Sequence, residues 1–169
     1  MKLTIFSTIL AACSVLVAAQ ANCDRRNQPS TNDVKGAIRD WLADVNAVNA
    51  FVDKAPNVSS NQASQALQFA KREPGDLMVL SRICGVSGRY TAAVADLNKV
   101  FGGVLTNLQS IVNNSKNAPT AVANINKIRC CNVLPDLDVL WREAAQRYRI
   151  QGQVQTTVPR PRACASVKC

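Results

Sequence analysis

Val34, Ile38, Trp41, Val45, Val48 and Val52 recur at alternating steps of four and three residues, which places all six on one stripe of an α-helix. Asn32 or Asp33 is expected to cap its start, and Pro56 lies just past its end. Lys35, Arg39, Asp40, Asp44, Asn46 and Asp53 fall on the other side and are expected to face solvent. A chain that begins its fold with so long an amphipathic rod needs other rods to cover the stripe.

The rest of the chain supplies them. Ser60 to Arg72 predicts a shorter helix with Ala63, Ala66, Leu67 and Ala70 inward, broken by Pro74-Gly75. Leu77, Leu80, Ile83 and Cys84 predict a further turn or two, closed by Gly85 and Gly88. Tyr90, Val94, Leu97, Phe101, Leu105, Leu108 and Val112 again step by fours and threes. The Gly102-Gly103 pair inside this helix predicts a close helix crossing, because the stripe keeps its phase across it. Pro119 fits a first turn leading through Val122, Ile125 and Ile128 to Cys130-Cys131. Pro135 opens a last helix with Leu137, Leu140, Trp141, Ala144 and Tyr148 on one side. Asp136 and Asp138 then stand in its first turn and Arg147 and Arg149 in its last, as the helix dipole favours. No segment shows sustained strand alternation, and aromatics are only 5% of the chain, so Ala, Val, Leu and Ile must fill the core. The expected fold is all-α, a disulfide-stapled bundle of about five to six helices with an irregular basic C-terminal tail.

Met1-Lys2, the uncharged run Leu3 to Ala19 and the small-x-small step Ala19-Gln20-Ala21 read as a secretion signal cleaved before Asn22. A membrane anchor is the rival reading, opposed by the small residues at the end of the run and the charges that follow at Asp24, Arg25 and Arg26. Leu10-Ala11-Ala12-Cys13 resembles a lipobox, but Ser14 to Ala19 stays apolar where a polar tether is normal. The expected organisation is a signal over 1–21, a helical domain over 22–150 and an extended basic tail over 151–169, tied back by a disulfide. Cys23, Cys84, Cys130, Cys131, Cys164 and Cys169 remain after cleavage. An even number in an exported chain implies three disulfides, with fifteen possible pairings. Adjacent cysteines bond each other only in a strained ring, so Cys130 and Cys131 are expected to take different partners. Cys164 and Cys169 either close a short loop or tie the tail to the body. Zinc is the competing use, but there is no Cys-x-x-Cys pair and no histidine.

The missing histidine also narrows the chemistry. Histidine-activated serine or cysteine nucleophiles, and phospholipase chemistry of the histidine–aspartate kind, are excluded. Carboxylate pairs remain, Glu73 with Asp76 and Asp136 with Asp138, each with an ordinary structural explanation. No catalytic residue, metal or cofactor is expected. Charge is more suggestive. Asn22 to Ser81 carries seven basic and seven acidic residues, whereas Arg82 to Cys169 carries twelve and four. Arg142, Arg147, Arg149, Arg160 and Arg162 are the candidates for contact with an anionic surface such as lipid headgroups or acidic polysaccharide. A solvated basic face is the plainer alternative. No RNA-recognition, zinc-finger or helix-turn-helix signature is present, so no nucleic-acid partner is expected. Asn57-Val58-Ser59 and Asn113-Asn114-Ser115 are glycosylation sequons, expected in loops near helix ends.

Arg129-Cys130-Cys131-Asn132-Val133-Leu134-Pro135, Thr157-Val158-Pro159-Arg160-Pro161 and Val45-Asn46-Ala47-Val48-Asn49-Ala50-Phe51 resemble stretches of small secreted proteins of filamentous ascomycete fungi. More distantly, the amphipathic helices and the Asp44-Val45-Asn46-Ala47-Val48 phrase are similar to fungal hydrophobic-surface-binding and cell-wall mannoprotein domains, helical bundles that bind lipids or apolar surfaces. The chain departs from those domains in its cysteines. The resemblance implies an extracellular fungal protein acting at a wall or host surface. The expected function is that of a secreted, monomeric, non-enzymatic binding or effector-type protein whose partner is an extracellular host or cell-wall component. The alternative is a carrier of a fatty acid or sterol in a cavity between helices.

Overall fold

Ser30 begins the first helix by accepting a hydrogen bond from the Asp33 amide at 3.2 Å, while Asp33 Oδ2 accepts from the Ser30 amide at 2.8 Å. This reciprocal box, not Asn32 or Asp33 alone, is the cap. The computed structural model describes residues 24–169; residues 1–21, expected to be a secretion signal, and Cys23 lie outside them. The described residues form α1 (Thr31–Val52), α2 (Ser60–Ala70), α3 (Glu73–Ser81), α4 (Gly88–Asn113), α5 (Ala118–Ile128) and α6 (Leu134–Tyr148), and contain no strand. A π-helical turn, Arg129–Val133, joins α5 to α6, and short 3₁₀ turns fill Arg25–Asn27, Ser115–Asn117 and Arg162–Ala165.

These segments make four rods rather than five or six separate helices. Pro74 does not break a helix; it stands in the first turn of α3, where its missing N–H costs nothing, and only Lys71 and Arg72 separate α3 from the end of α2. Pro135 is likewise accommodated in the first turn of α6, so the chain stays helical from Ala118 to Tyr148 through the π turn. Ser59 and Ser87 cap α2 and α4.

α4 runs through the middle, packed against α2, α5 and α6, and α1 packs against α2 and α3 and touches α6. The α1 stripe is buried throughout, and Trp41 meets Trp141 of α6 edge to face with ring centroids 6.5 Å apart. On α4 the buried stripe is Tyr90, Ala93, Leu97, Phe101, Val104, Leu108 and Ile111. Val94, Leu105 and Val112 flank it, half-buried. A rod covered by neighbours on several sides buries a wider arc than one stripe.

Residues 151–169 have no regular helix beyond the Arg162–Ala165 turn, but they are pinned. Val158 is buried and its amide donates to Asp138 Oδ1 at 2.6 Å; Asn49 Nδ2 donates to the Pro159 carbonyl at 2.9 Å; the Arg162 amide donates to Asp53 Oδ1 at 2.8 Å. Disulfides Cys130–Cys164 and Cys131–Cys169 fasten the same segment to the π turn. Adjacent residues on a helix diverge by roughly 100°, which sends the two sulfurs to different partners. Cys84 is disulfide-bonded as well.

The glycine pair separates into two roles. A Cβ on Gly103 would come within 2.8 Å of Ile128 Cδ1, so Gly103 marks the crossing of α4 and α5, whereas a Cβ on Gly102 would meet nothing within 4 Å. Gly102→Ala is therefore expected to raise stability by about 0.5–1 kcal/mol through helix propensity alone. Gly103→Ala should gain less, because the Ile128 methyl must move. Urea denaturation of the two variants checks the order; an equal or larger gain for Gly103→Ala would contradict the crossing.

Candidate functional site

α6 and the docked tail gather three of the five candidate arginines. Arg142 stands one turn after Asp138 on α6, and Asp138 Oδ2 accepts from Arg160 Nη2 at 2.5 Å. Arg149 ends the helix about 10 Å further along the axis. Its backbone is left-handed, φ 55°, and Arg149 is the one non-glycine residue with positive φ among the described residues. That conformation usually falls to glycine or asparagine. Arg147 turns elsewhere: Nε donates to the Cys84 carbonyl at 3.0 Å and the guanidinium lies against Gly85. Arg162 sits over the end of α1 through its amide contact with Asp53. Arg142, Arg149 and Arg162 are exposed. The five residues thus divide, with Arg142, Arg149 and Arg160 forming a basic ridge along α6.

The two sequons also part. Asn57 is exposed in the connection between α1 and α2, but Asn113 is the last residue of α4, not a loop residue, and its Oδ1 accepts from Gln109 Nε2 at 3.0 Å. The carboxylate pairs drawn from sequence do not form as pairs. Asp138 serves Arg160 and Val158, while Asp136 has its carboxyl pushed up to about 6, first by burial and then by Asp96 of α4 beside it. Glu73 points into the core, whereas Asp76 shares a cleft with Asp40, Asp44 and Arg72. Asp44 was expected in solvent; it is buried and paired with Arg72. Among the described residues no group of three or more His, Cys, Asp or Glu side chains is placed to hold a metal ion.

A buried polar centre lies outside the periodic pattern of apolar residues. Arg129, on the π turn, and Glu73, at the start of α3, are both 0% exposed and face each other with Nη1 to Oε1 at 3.7 Å. Trp41 Nε1 donates to Glu73 Oε2 at 2.7 Å, and Arg129 Nη2 donates to Asn49 Oδ1 at 2.9 Å. Asn49 in turn holds the tail at Pro159. Glu73 Oε1 and Arg129 Nε and Nη1 make no hydrogen bond. Burial pushes the Glu73 carboxyl up to about 7, opposed by Arg129 and the Trp41 hydrogen bond. Burial likewise lowers Arg129. Beside Glu73 an apolar space of about 150 Å³ opens between α3 and α4.

A warning for this centre was present in the sequence. Arg129 lies four residues after Ile125, Glu73 four before Leu77, and Asn49 four after Val45, so each stands on an apolar stripe. No family model, no curated protein and no solved structure matches the chain. The class of protein is therefore defined by its own fold: an all-helical bundle stapled by disulfides, of the kind that persists in oxidising compartments. No described helix is long and apolar enough to cross a membrane.

The pH dependence of stability follows from the raised carboxyls. Asp76 and Asp136, which lie outside the Glu73–Arg129 pair, are pushed up to about 7 and about 6, Asp76 first by burial and then by Asp40, Asp44 and Glu73, with Arg72 opposing. Between an ordinary carboxyl value near 4 and about 7, the folded protein keeps protons that the unfolded chain has released, so stability falls as pH rises through that window. Urea unfolding should show a loss on the order of 1–3 kcal/mol between about pH 5 and pH 8. A gain over the same interval would contradict the burial of Asp76 and Asp136.

Proposed function

We propose that the protein is secreted and acts as a non-enzymatic binding protein, of the same general kind as the small secreted fungal proteins it resembles, presenting a basic ridge to an anionic component of an extracellular or host surface. The observation that carries this reading is Arg149. A long cation occupies a left-handed position that glycine would fill without strain. Strain of this kind, of order 1–2 kcal/mol per residue, suggests a use for the side chain beyond the fold. Arg142 and Arg160 stand along the same helix and add charge of the same sign, in a chain whose formal net charge is +9. A carrier of a fatty acid or sterol has less support: the apolar space beside Glu73 holds about 150 Å³ against roughly 300–1,000 Å³ for sites of drug-sized ligands, and the cleft of about 490 Å³ between α2 and α4 is lined mostly by polar side chains, Lys71, Thr106, Gln109, Ser110, Asn113 and Asn117.

Arg149→Gly separates use from fold. Relief of the left-handed strain should leave the variant as stable as the parent or up to about 1–2 kcal/mol more stable. Its retention on phosphatidylserine vesicles or immobilised polygalacturonate in low salt should nevertheless drop. With Arg142→Gln and Arg160→Gln added, the loss should reach roughly one hundredfold, at about 1 kcal/mol per basic residue near an anionic lipid surface. Unchanged retention of the triple variant on both supports would dismiss the reading.

A further inference from the structure

The open cleft between α2 and α4 has a volume of about 490 Å³, with Leu67 and Lys71 on one side and residues of α4 on the other. Three of its lining residues on α4, Leu105, Gln109 and Asn113, are four positions apart and form one row, each about 6 Å along the axis from the next. Helical side chains lean toward the N-terminus of their helix. Asn113, the last residue of α4, accordingly lies back over the preceding turn, and its Oδ1 accepts from Gln109 Nε2 at 3.0 Å. The residue is exposed, and its Nδ2 donates no hydrogen bond among the described residues. That nitrogen opens the sequon Asn113-Asn114-Ser115.

The walls suit a sugar ring, which has an apolar C–H face and a rim of hydroxyls. Leu105 is half-buried and supplies an apolar patch, while Thr106, Gln109, Ser110 and Asn117 supply hydroxyls and amides. Asn117 is held through Nδ2 by the Ser110 carbonyl and hydroxyl, and Gln109 through Nε2 by Asn113. Their side-chain oxygens are thereby positioned and remain open to accept from a ligand hydroxyl.

We propose that Asn113 carries an N-linked glycan whose first two sugars lie in this cleft, the first over Gln109 and the second reaching Leu105. The inference rests on the secretion half of the reading above and not on the basic ridge. In the transfer, Asn113 Nδ2 attacks C1 of the reducing-end N-acetylglucosamine of a polyprenyl-diphosphate oligosaccharide. The N–C1 bond forms and the C1–O bond to the diphosphate breaks. The diphosphate leaves with that electron pair, and one Nδ2 proton passes to a base of the transferring enzyme. Transfer takes place on the chain as it is exported, before α4 has formed, so the helical placement of Asn113 is no obstacle. Oδ1 keeps its bond to Gln109, because the new bond is made at Nδ2.

The full chain with its leader, produced in a yeast that N-glycosylates exported proteins and taken from the medium, tests this. Amidase release of glycans in ¹⁸O water, followed by peptide mass spectrometry, should find labelled Asp at position 113. Asn113→Gln and Ser115→Ala should each lose that label, whereas Asn57→Gln should keep it. On the intact glycoprotein, NMR should show nuclear Overhauser contacts from the sugars to the Leu105 methyls and the Gln109 side-chain amide. Protein in the medium with Asn113 unmodified, or a modified Asn113 whose sugars make no such contacts, would overturn the inference and leave secretion standing. A chain retained in the cytosol would overturn both.

Discussion

Arg129 brings a full charge into the centre of the bundle and meets Glu73 there, and the elements of the fold converge on that pair. Glu73 comes from the start of α3, Arg129 from the π turn, and Trp41 and Asn49 from α1 complete the hydrogen bonds. A buried ion pair contributes little net stability over well-packed apolar residues, because desolvation of both charges offsets their attraction. Its effect is on choice among packings. Either charge left alone in the core costs about 3–5 kcal/mol, so only arrangements that bring α3, α1 and the π turn together are tolerated.

The same centre reaches the C-terminal segment through Asn49, whose side chain receives Arg129 on one atom and donates to Pro159 on the other. The tail is thus fixed at several points by different means: the Asn49 contact, the Asp138 carboxylate that accepts from Val158 and Arg160, and the disulfides to Cys130 and Cys131. Each disulfide is expected to contribute about 2–4 kcal/mol, chiefly by restricting the unfolded chain. The hydrogen bonds decide where the restrained segment lies. Together they set Arg160 beside α6 instead of leaving it on a loose strand, and the basic ridge follows from that placement.

Much of this was readable before any coordinates. The steps of four and three identified the apolar stripe of α1, the inward side of α2 and, except for the half-buried Tyr148, that of α6, since a regular period needs only local information; Asp44 on α1 was the exception that burial overturned. The Gly102-Gly103 pair correctly announced a crossing, although only Gly103 serves it. The different partners of Cys130 and Cys131 also followed from local geometry. Helix boundaries were less legible. Pro74 and Pro135 were read as boundaries of separate helices, while first-turn positions let the chain continue almost unbroken. The polar centre escaped notice for a different reason: a charge on an apolar stripe becomes meaningful only when its partner, 56 positions away in the case of Glu73 and Arg129, is seen to face it. Similarly, Asp136 gave no sign that its neighbour would be Asp96 from α4 and not Asp138 two residues on.

A double-mutant cycle on Glu73→Gln and Arg129→Met, read by urea denaturation with the disulfides intact, tests most directly whether this pair organises the bundle. The account predicts that each single change is strongly destabilising. The double variant should be less affected than the sum of the two, with a coupling of about 1–3 kcal/mol. Additive effects, within about 0.3 kcal/mol, would mean that the two charges are buried independently and that the fold is chosen by its apolar stripes alone.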